Sequence, residues 1–397
     1  MTASRSLRLV VAFTLLGGLA AACKSEPEPH FRDVQIADGE PITIGVSTML
    51  EGDLASTGRA LADAAELAGK DVTIDGHPVE FVEANDGCTE EGGESAAHEL
   101  ADQDVVAVVG PSCSDAVIGS QLVYEGAGIT HISQLSTNVK TTQPDDRAPF
   151  RTFLRTSFND AIQGQGQAEF AEQTLGAKSV FIVYEAFRYG GAVDPFRKAW
   201  KGTFVDDVGF NDKSEFPDLA ARIADADPDL VYFSGFYPTG IPFIQALRDA
   251  GYSGPVLAGD AMYDQKTIDG LGTVAENELY ITLPSPPLQG PVFEQFASDY
   301  QSTYGSDPRE TSFTAESFDA ATAIIEALQA DGVVTESDGG VRVDERALND
   351  AIYDSSFDGA SGPIRFDDKG DRVAQGLSPV TVFVVRERKF APVTTGQ

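Results

Sequence analysis

The chain is short of positive charge: 28 Lys and Arg stand against 62 Asp and Glu in 397 residues, a formal net charge of −34. Nucleic-acid binding depends on a basic surface that displaces counterions, and docking on anionic lipid needs the same, so both are disfavoured. Histidine is scarce as well. The four residues at 30, 77, 98 and 131 are scattered, and nothing groups them into a metal centre. No Gly-x-x-x-x-Gly-Lys-[Ser/Thr] loop, Gly-x-Ser-x-Gly elbow or His-Glu-x-x-His occurs, which removes common signatures of nucleotide, ester and zinc-dependent hydrolysis. Gly164-Gln165-Gly166 opens a dinucleotide-like pattern, but Glu169 occupies its last glycine position. What is present suffices for a core: 42% hydrophobic and 9% aromatic residues exclude disorder. The length points to two domains or one large one with insertions.

Residues 1–22 carry Arg5 and Arg8, no acid, and an apolar run from Leu9 to Leu16. A basic start, a short apolar core and small residues form the pattern of an export signal. The run is short for a membrane-spanning helix, which needs about 20 residues. Leu19-Ala20-Ala21-Ala22-Cys23 resembles a bacterial lipobox, with its usual leucine one position early; a plain signal peptide with an incidental cysteine is the other reading. Without residues 1–22 and their two arginines the net charge moves from −34 to −36. Lys24 to Glu40 is polar and holds Pro27 and Pro29, as a tether between lipid and folded body would.

Two cysteines remain, Cys88 and Cys113. In an exported chain such a pair is expected to form a disulfide; a metal or nucleophile site would want a histidine or a Cys-x-x-Cys spacing beside it. Apolar runs and helical patterns then alternate. Ile42–Ser47, Val79–Ala84, Val105–Gly110 and Gly128–Ser133 read as strands, with helices at Ala60–Lys70, Glu90–Gln103 and Ile118–Glu125. After Arg155 the pattern restarts with a helix at Ile162–Leu175 and a strand at Ser179–Tyr184. A helix at Leu219–Ala226, a strand at Asp229–Ser234, a helix at Ile241–Ala250 and a strand at Val256–Ala258 follow. Such alternation predicts parallel sheets covered by helices on both faces, in two α/β domains. Asp367 to Asp371 is expected to be a turn rather than a calcium loop, because the twelve-residue spacing is missing.

Ligands of open α/β sheets bind beyond the carboxyl ends of the strands. Two such segments are Gly110-Pro111-Ser112-Cys113-Ser114 and Ser133-Gln134-Leu135-Ser136-Thr137-Asn138, whose hydroxyls and N–H groups can hold a carboxylate without a basic side chain. Ordinary helix capping by serine and threonine accounts for them equally well.

These segments resemble the type I periplasmic solute-binding proteins of branched-chain amino-acid ABC importers, the leucine/isoleucine/valine-binding protein family. The resemblance runs through Ile42-Thr43-Ile44-Gly45-Val46, Asp86-Gly87-Cys88, Val108 to Ser114, Tyr124 to Ile129, Phe150-Arg151-Thr152, Arg188-Tyr189-Gly190, Val231 to Gly235 and Gly362 to Asp367. It implies an α/β fold of two Rossmann-like parallel-sheet lobes joined by a three-crossover hinge, the periplasmic binding protein type I architecture. Lobe one would take residues 41–155 and 284–360, and lobe two 156–283 and 361–397. It places the family's early disulfide on Cys88 and Cys113. Carried over by position, Ser114 and Thr137 would bind a ligand α-carboxylate, and Ser136 with its neighbouring carbonyls the α-ammonium. Asp260 would face that ammonium from the second lobe, and Tyr189, Phe236 and Phe313 would wall the ligand with rings. Two positions depart from the family: Thr57, in the loop Gly52 to Gly58, replaces an aromatic, and Leu135 replaces a small residue. Leucine, isoleucine or valine is therefore not assumed as the ligand. The implied protein is a monomeric, lipid-anchored receptor facing the periplasm or cell exterior. It would bind a small polar solute such as an amino acid, hand it to an ABC importer, and need no cofactor, metal or catalytic residue. A ligand sensor for a membrane partner and an exported enzyme are the alternatives.

Overall fold

The computed structural model describes residues 29–145, 147–186, 193–376 and 378–393. Tyr189, Cys23 and the export signal lie outside these residues. The first strand, β1 (Asp33–Ala37), falls within the segment expected to be a tether. Val34 and Ile36 alternate inward along it, a period of two that a short polar stretch conceals. Next come β2 (Ile42–Thr48), helix α1 (Ala55–Gly69), β3 (Thr73–Ile74), β4 (His77–Asn85), α2 (Glu90–Ala101), β5 (Ala107–Val109), α3 (Ser114–Ala127), β6 (Thr130–Ser133) and β7 (Phe153–Arg155). They build a six-stranded sheet of order β3-β4-β2-β5-β6-β7, parallel except at the β3 edge. Ile42, Ile44, Val46 and Val106 to Val109 have no solvent exposure, as strands covered on both faces require.

The second sheet begins after α4 (Asp160–Gln173). It contains β8 (Ser179–Glu185), β9 (Thr203–Phe210), β10 (Leu230–Ser234), β11 (Val256–Ala258) and β12 (Leu279–Leu283). The chain then returns to the first lobe. The helix Thr314–Leu328 packs on α1, and β14 (Gly340–Asp344) pairs antiparallel with β1 on one side and with β13 (Val334–Ser337) on the other. A hairpin, β15 (Ser356–Gly359) and β16 (Gly362–Arg365), spans residues 360 and 361, so the expected lobe boundary there falls inside one hydrogen-bonded unit. Finally β17 (Thr381–Arg386) and β18 (Lys389–Pro392) add antiparallel to the second sheet, giving the order β18-β17-β12-β11-β10-β8-β9.

In each sheet the strand order reverses beside the first strand, β2 or β8. The strand ends at these switch points form the walls of one interlobe cleft. A single apolar cluster crosses that cleft, joining Met49, Leu54 and Leu135 of the first lobe to Phe236, Tyr237 and Tyr263 of the second. Polar bridges cross it too: Thr57 Oγ1 donates to Asp264 Oδ2 at 3.1 Å and the Tyr237 hydroxyl to the Asp53 carbonyl at 2.9 Å. The lobes are closed on each other.

Candidate functional site

Local sequence sets the first wall. Gly110 ends β5 with φ +111°, and an added Cβ would lie 2.1 Å from the Ser47 carbonyl oxygen, so only glycine turns the chain here toward Ser112 and α3. The chain that follows is fixed from below by Asp86, which accepts from Cys88 N at 2.8 Å and from Ser112 N at 3.0 Å. Burial pushes the Asp86 carboxyl up to about 6 against those two hydrogen bonds. Cys88 and Cys113 are disulfide-bonded, tying the end of β4 to the start of α3.

Ser114 opens α3. Its hydroxyl accepts from the Ser136 hydroxyl at 3.1 Å and from Asn138 N at 3.2 Å, so the two strand-end segments meet. The second of them is held by Arg155, which has no solvent exposure. Arg155 donates to the carbonyls of Ser136 at 3.0 Å and Asn138 at 2.8 Å, and through Nε to Asp371 Oδ1 at 2.6 Å. Asp371 lies in the expected turn, where Gly370 N donates to the Asp367 carbonyl at 3.1 Å.

A cavity of about 40 Å³ lies between the lobes, lined by Ser114, Leu135 and Thr137 from one side and by Asp160, Phe236 and Asp260 from the other. A second, of about 10 Å³, adjoins it around Leu135, Phe236, Asp260, Thr57, Asp264 and Ser312. Six of the nine residues that the resemblance singles out therefore face the cleft. Ser136 stands behind the wall, with its hydroxyl on Ser114 and its carbonyl already accepting from Arg155 and Ser157. Phe313 is buried in the cluster beneath and lines neither cavity. Thr57 sits in the first turn of α1 rather than in a loop, because the helix begins at Ala55, five residues before the expected start. Gly58 permits this: a Cβ there would meet the Met49 carbonyl oxygen at 1.8 Å.

Asp160 is the cleft residue that sequence reasoning missed. It is the first residue of α4, after Asn159, whose side chain caps the helix by accepting from Ala161 N and Ile162 N. An Asn-Asp pair two residues ahead of the expected helix start was the available signal. Burial, then the nearby Asp260 charge, pushes Asp160 up to about 7, while the Thr137 hydroxyl and Arg155 pull it down. Burial likewise pushes Asp260 up to about 6, opposed by a hydrogen bond from Gln163. Three carboxyls, the buried Asp160 and Asp260 with Asp115, and no basic side chain line the larger cavity. Such a wall favours a cation beside the acids, and the hydroxyls of Ser114 and Thr137 with the first N–H groups of α3 suit an anion. Among the described residues no group of three or more His, Cys, Asp or Glu side chains is arranged to hold a metal.

The periplasmic binding protein family model matches residues 41–388. The chain belongs to that family. Its members are extracytoplasmic binding proteins, not enzymes, and no described helix is long and apolar enough to cross a membrane. The amino acid binding protein of Pseudomonas aeruginosa is 28% identical over 278 residues, covering 68% of each chain. The leucine-specific-binding protein of Salmonella typhimurium is 24% identical over 387 residues, 91% of this chain and 93% of that one. Among solved structures, the branched-chain amino acid transporter substrate-binding protein LivJ of Streptococcus pneumoniae, in complex with isoleucine, matches with a TM-score of 0.78. It is 22% identical, over 89% of this chain and 99% of that one. The fold is accordingly the type I periplasmic binding protein fold, two parallel-sheet lobes of α/β structure.

Proposed function

We propose that this periplasmic binding protein captures an amino acid or a closely similar zwitterion between its lobes and delivers it to an ABC importer. Export would be directed by residues 1–22, and a lipid on Cys23 would hold the monomeric mature chain at a membrane surface. The lobes take the expected limits of 41–155 with 284–360 and 156–283 with 361–397, adjusted so that the β15–β16 hairpin stays whole. Hinge opening admits the ligand and closure buries it.

The observation that carries this reading is the sharing of one cavity by Ser114 and Thr137 of the first lobe and Asp260 of the second. The α-carboxylate takes the hydroxyls and the α3 N-terminus; the α-ammonium takes Asp260, since a buried cation needs a charged, hydrogen-bonded partner. The names of the relatives point to the same ligand class. A thermal-shift screen of the mature chain against amino acids, small amides and simple carboxylates tests it. A ligand at 100 times its dissociation constant stabilises by about 2.7 kcal/mol. A panel in which no zwitterion raises the melting temperature refutes the reading.

A further inference from the structure

The larger cavity, beside Ser114, Thr137 and Asp260, holds about 40 Å³ and the smaller about 10 Å³. Leu135, Phe236 and Asp260 line both and are the partition between them. Leu135 and Phe236 are 9% and 8% exposed and belong to the apolar cluster that spans the closed lobes. An apolar cavity that takes benzene measures about 150 Å³, and one water needs about 10–15 Å³. The larger space therefore suits the main-chain part of an amino acid and little more, while the smaller is no larger than a water.

We propose that Leu135 is a specificity residue that fills the side-chain half of the cleft and restricts the ligand to small, uncharged-side-chain amino acids of the size of glycine, alanine or serine. The inference rests on the amino-acid reading above. A leucine-sized side chain directed between Leu135 and Phe236 would have to separate the two or hold the lobes apart. Holding them apart forfeits the Thr57–Asp264 and Tyr237–Asp53 hydrogen bonds that join the closed lobes. Charge narrows the class further. Asp115, Asp160, Asp260 and Asp264 line the two cavities and no Lys or Arg lines either, so a second carboxylate on the ligand side chain is disfavoured there.

Isothermal titration of the mature chain with glycine, L-alanine, L-leucine and L-glutamate, on wild type, Leu135→Ala and Leu135→Met, tests this. In the wild type, glycine or alanine should bind at least about 100-fold more tightly than leucine, as a filled apolar pocket discriminates by roughly 10- to 200-fold per methylene-sized step. Leu135→Ala should improve leucine relative to alanine by tenfold or more, and the volume-conserving Leu135→Met should keep the wild-type order. Leucine binding the wild type as tightly as alanine overturns the proposal, even if Leu135→Ala fails to fold. An unchanged leucine-to-alanine ratio in a folded Leu135→Ala overturns it as well. If no amino acid binds the wild type, the amino-acid reading fails and the size limit falls with it.

Discussion

Arg155 is the bulkiest side chain among the described residues with no solvent exposure, and it joins the second strand-end segment of the cleft to Asp371 of the late chain. Beyond Asp371 and the carbonyls of Ser136 and Asn138, it donates to the hydroxyls of Thr141 at 3.2 Å and Thr142 at 2.6 Å. Arg155→Met keeps most of the stem volume and removes every one of these donors. Asp371 would retain the Thr142 hydroxyl and the Gln143 amide, each at 3.0 Å, but would lose its buried cation. Removing one member of a buried ion pair costs about 3–5 kcal/mol. At about 2–4 °C per kcal/mol for a lobe-sized unit, the melting temperature should fall by about 6–20 °C. Differential scanning calorimetry reads this directly. Replacing both partners, as Arg155→Met with Asp371→Leu, should recover much of the loss, because the uncompensated charge goes with the arginine's partner. Ligand affinity should drop in the single variant, since Asn138 and Ser136 position the Ser114 hydroxyl. A single variant melting within about 2 °C of wild type would refute the reasoning, and so would a double variant less stable than the single.

Other outcomes follow from the same structure. Burial between the rings of Tyr124 and Phe153 pushes His131 down to about 3, so its contribution is fully present above its unfolded value of 6.5 and is lost as pH falls toward 3. His131→Phe should therefore gain about 2 kcal/mol relative to wild type between pH 7.5 and pH 5, measured by urea unfolding; a pH-independent difference contradicts this. Burial raises Asp260 to about 6, so binding of an ammonium requires deprotonation below that pH. Affinity for a zwitterion should fall about tenfold per pH unit below 6, and an affinity constant from pH 7 to 4.5 would count against the assigned contact. The Cys88–Cys113 bridge closes a separation of 25 residues, and its reduction should cost about 3 kcal/mol in chemical unfolding.

The alternation of apolar runs with helical patterns made the two parallel sheets legible, because buried strands such as Val105 to Val109 leave no other reading. Element starts were less legible. Helix α1 begins five residues before the alanine-rich stretch because its first turn is fixed by the approach of Gly58 to Met49, a contact with no local signature. Strand β1 hid in a polar segment because its partner, β14, lies some 300 residues away in the chain. The cleft divides the same way. Ser114 and Thr137 follow strands in plain view, and Asp260 required the family resemblance. Arg155 and Asp371 announce nothing locally, since their pairing spans 216 positions. Asp160 reads as an ordinary helix opener until the second lobe places Asp260 on the same cavity.

The central claim is that Asp260 meets a ligand ammonium while Ser114 and Thr137 hold the carboxylate. Isothermal titration of wild type and Asp260→Asn, with whichever of glycine, L-alanine and L-leucine binds the wild type most tightly, tests it most directly. The asparagine keeps size and hydrogen bonding but removes the charge opposite the cation, at a cost of at least about 2 kcal/mol, or roughly thirtyfold in the dissociation constant. A loss of that size, with the melting temperature of the unliganded protein preserved or raised, is the predicted result. An Asp260→Asn protein that binds as tightly as wild type would contradict the account.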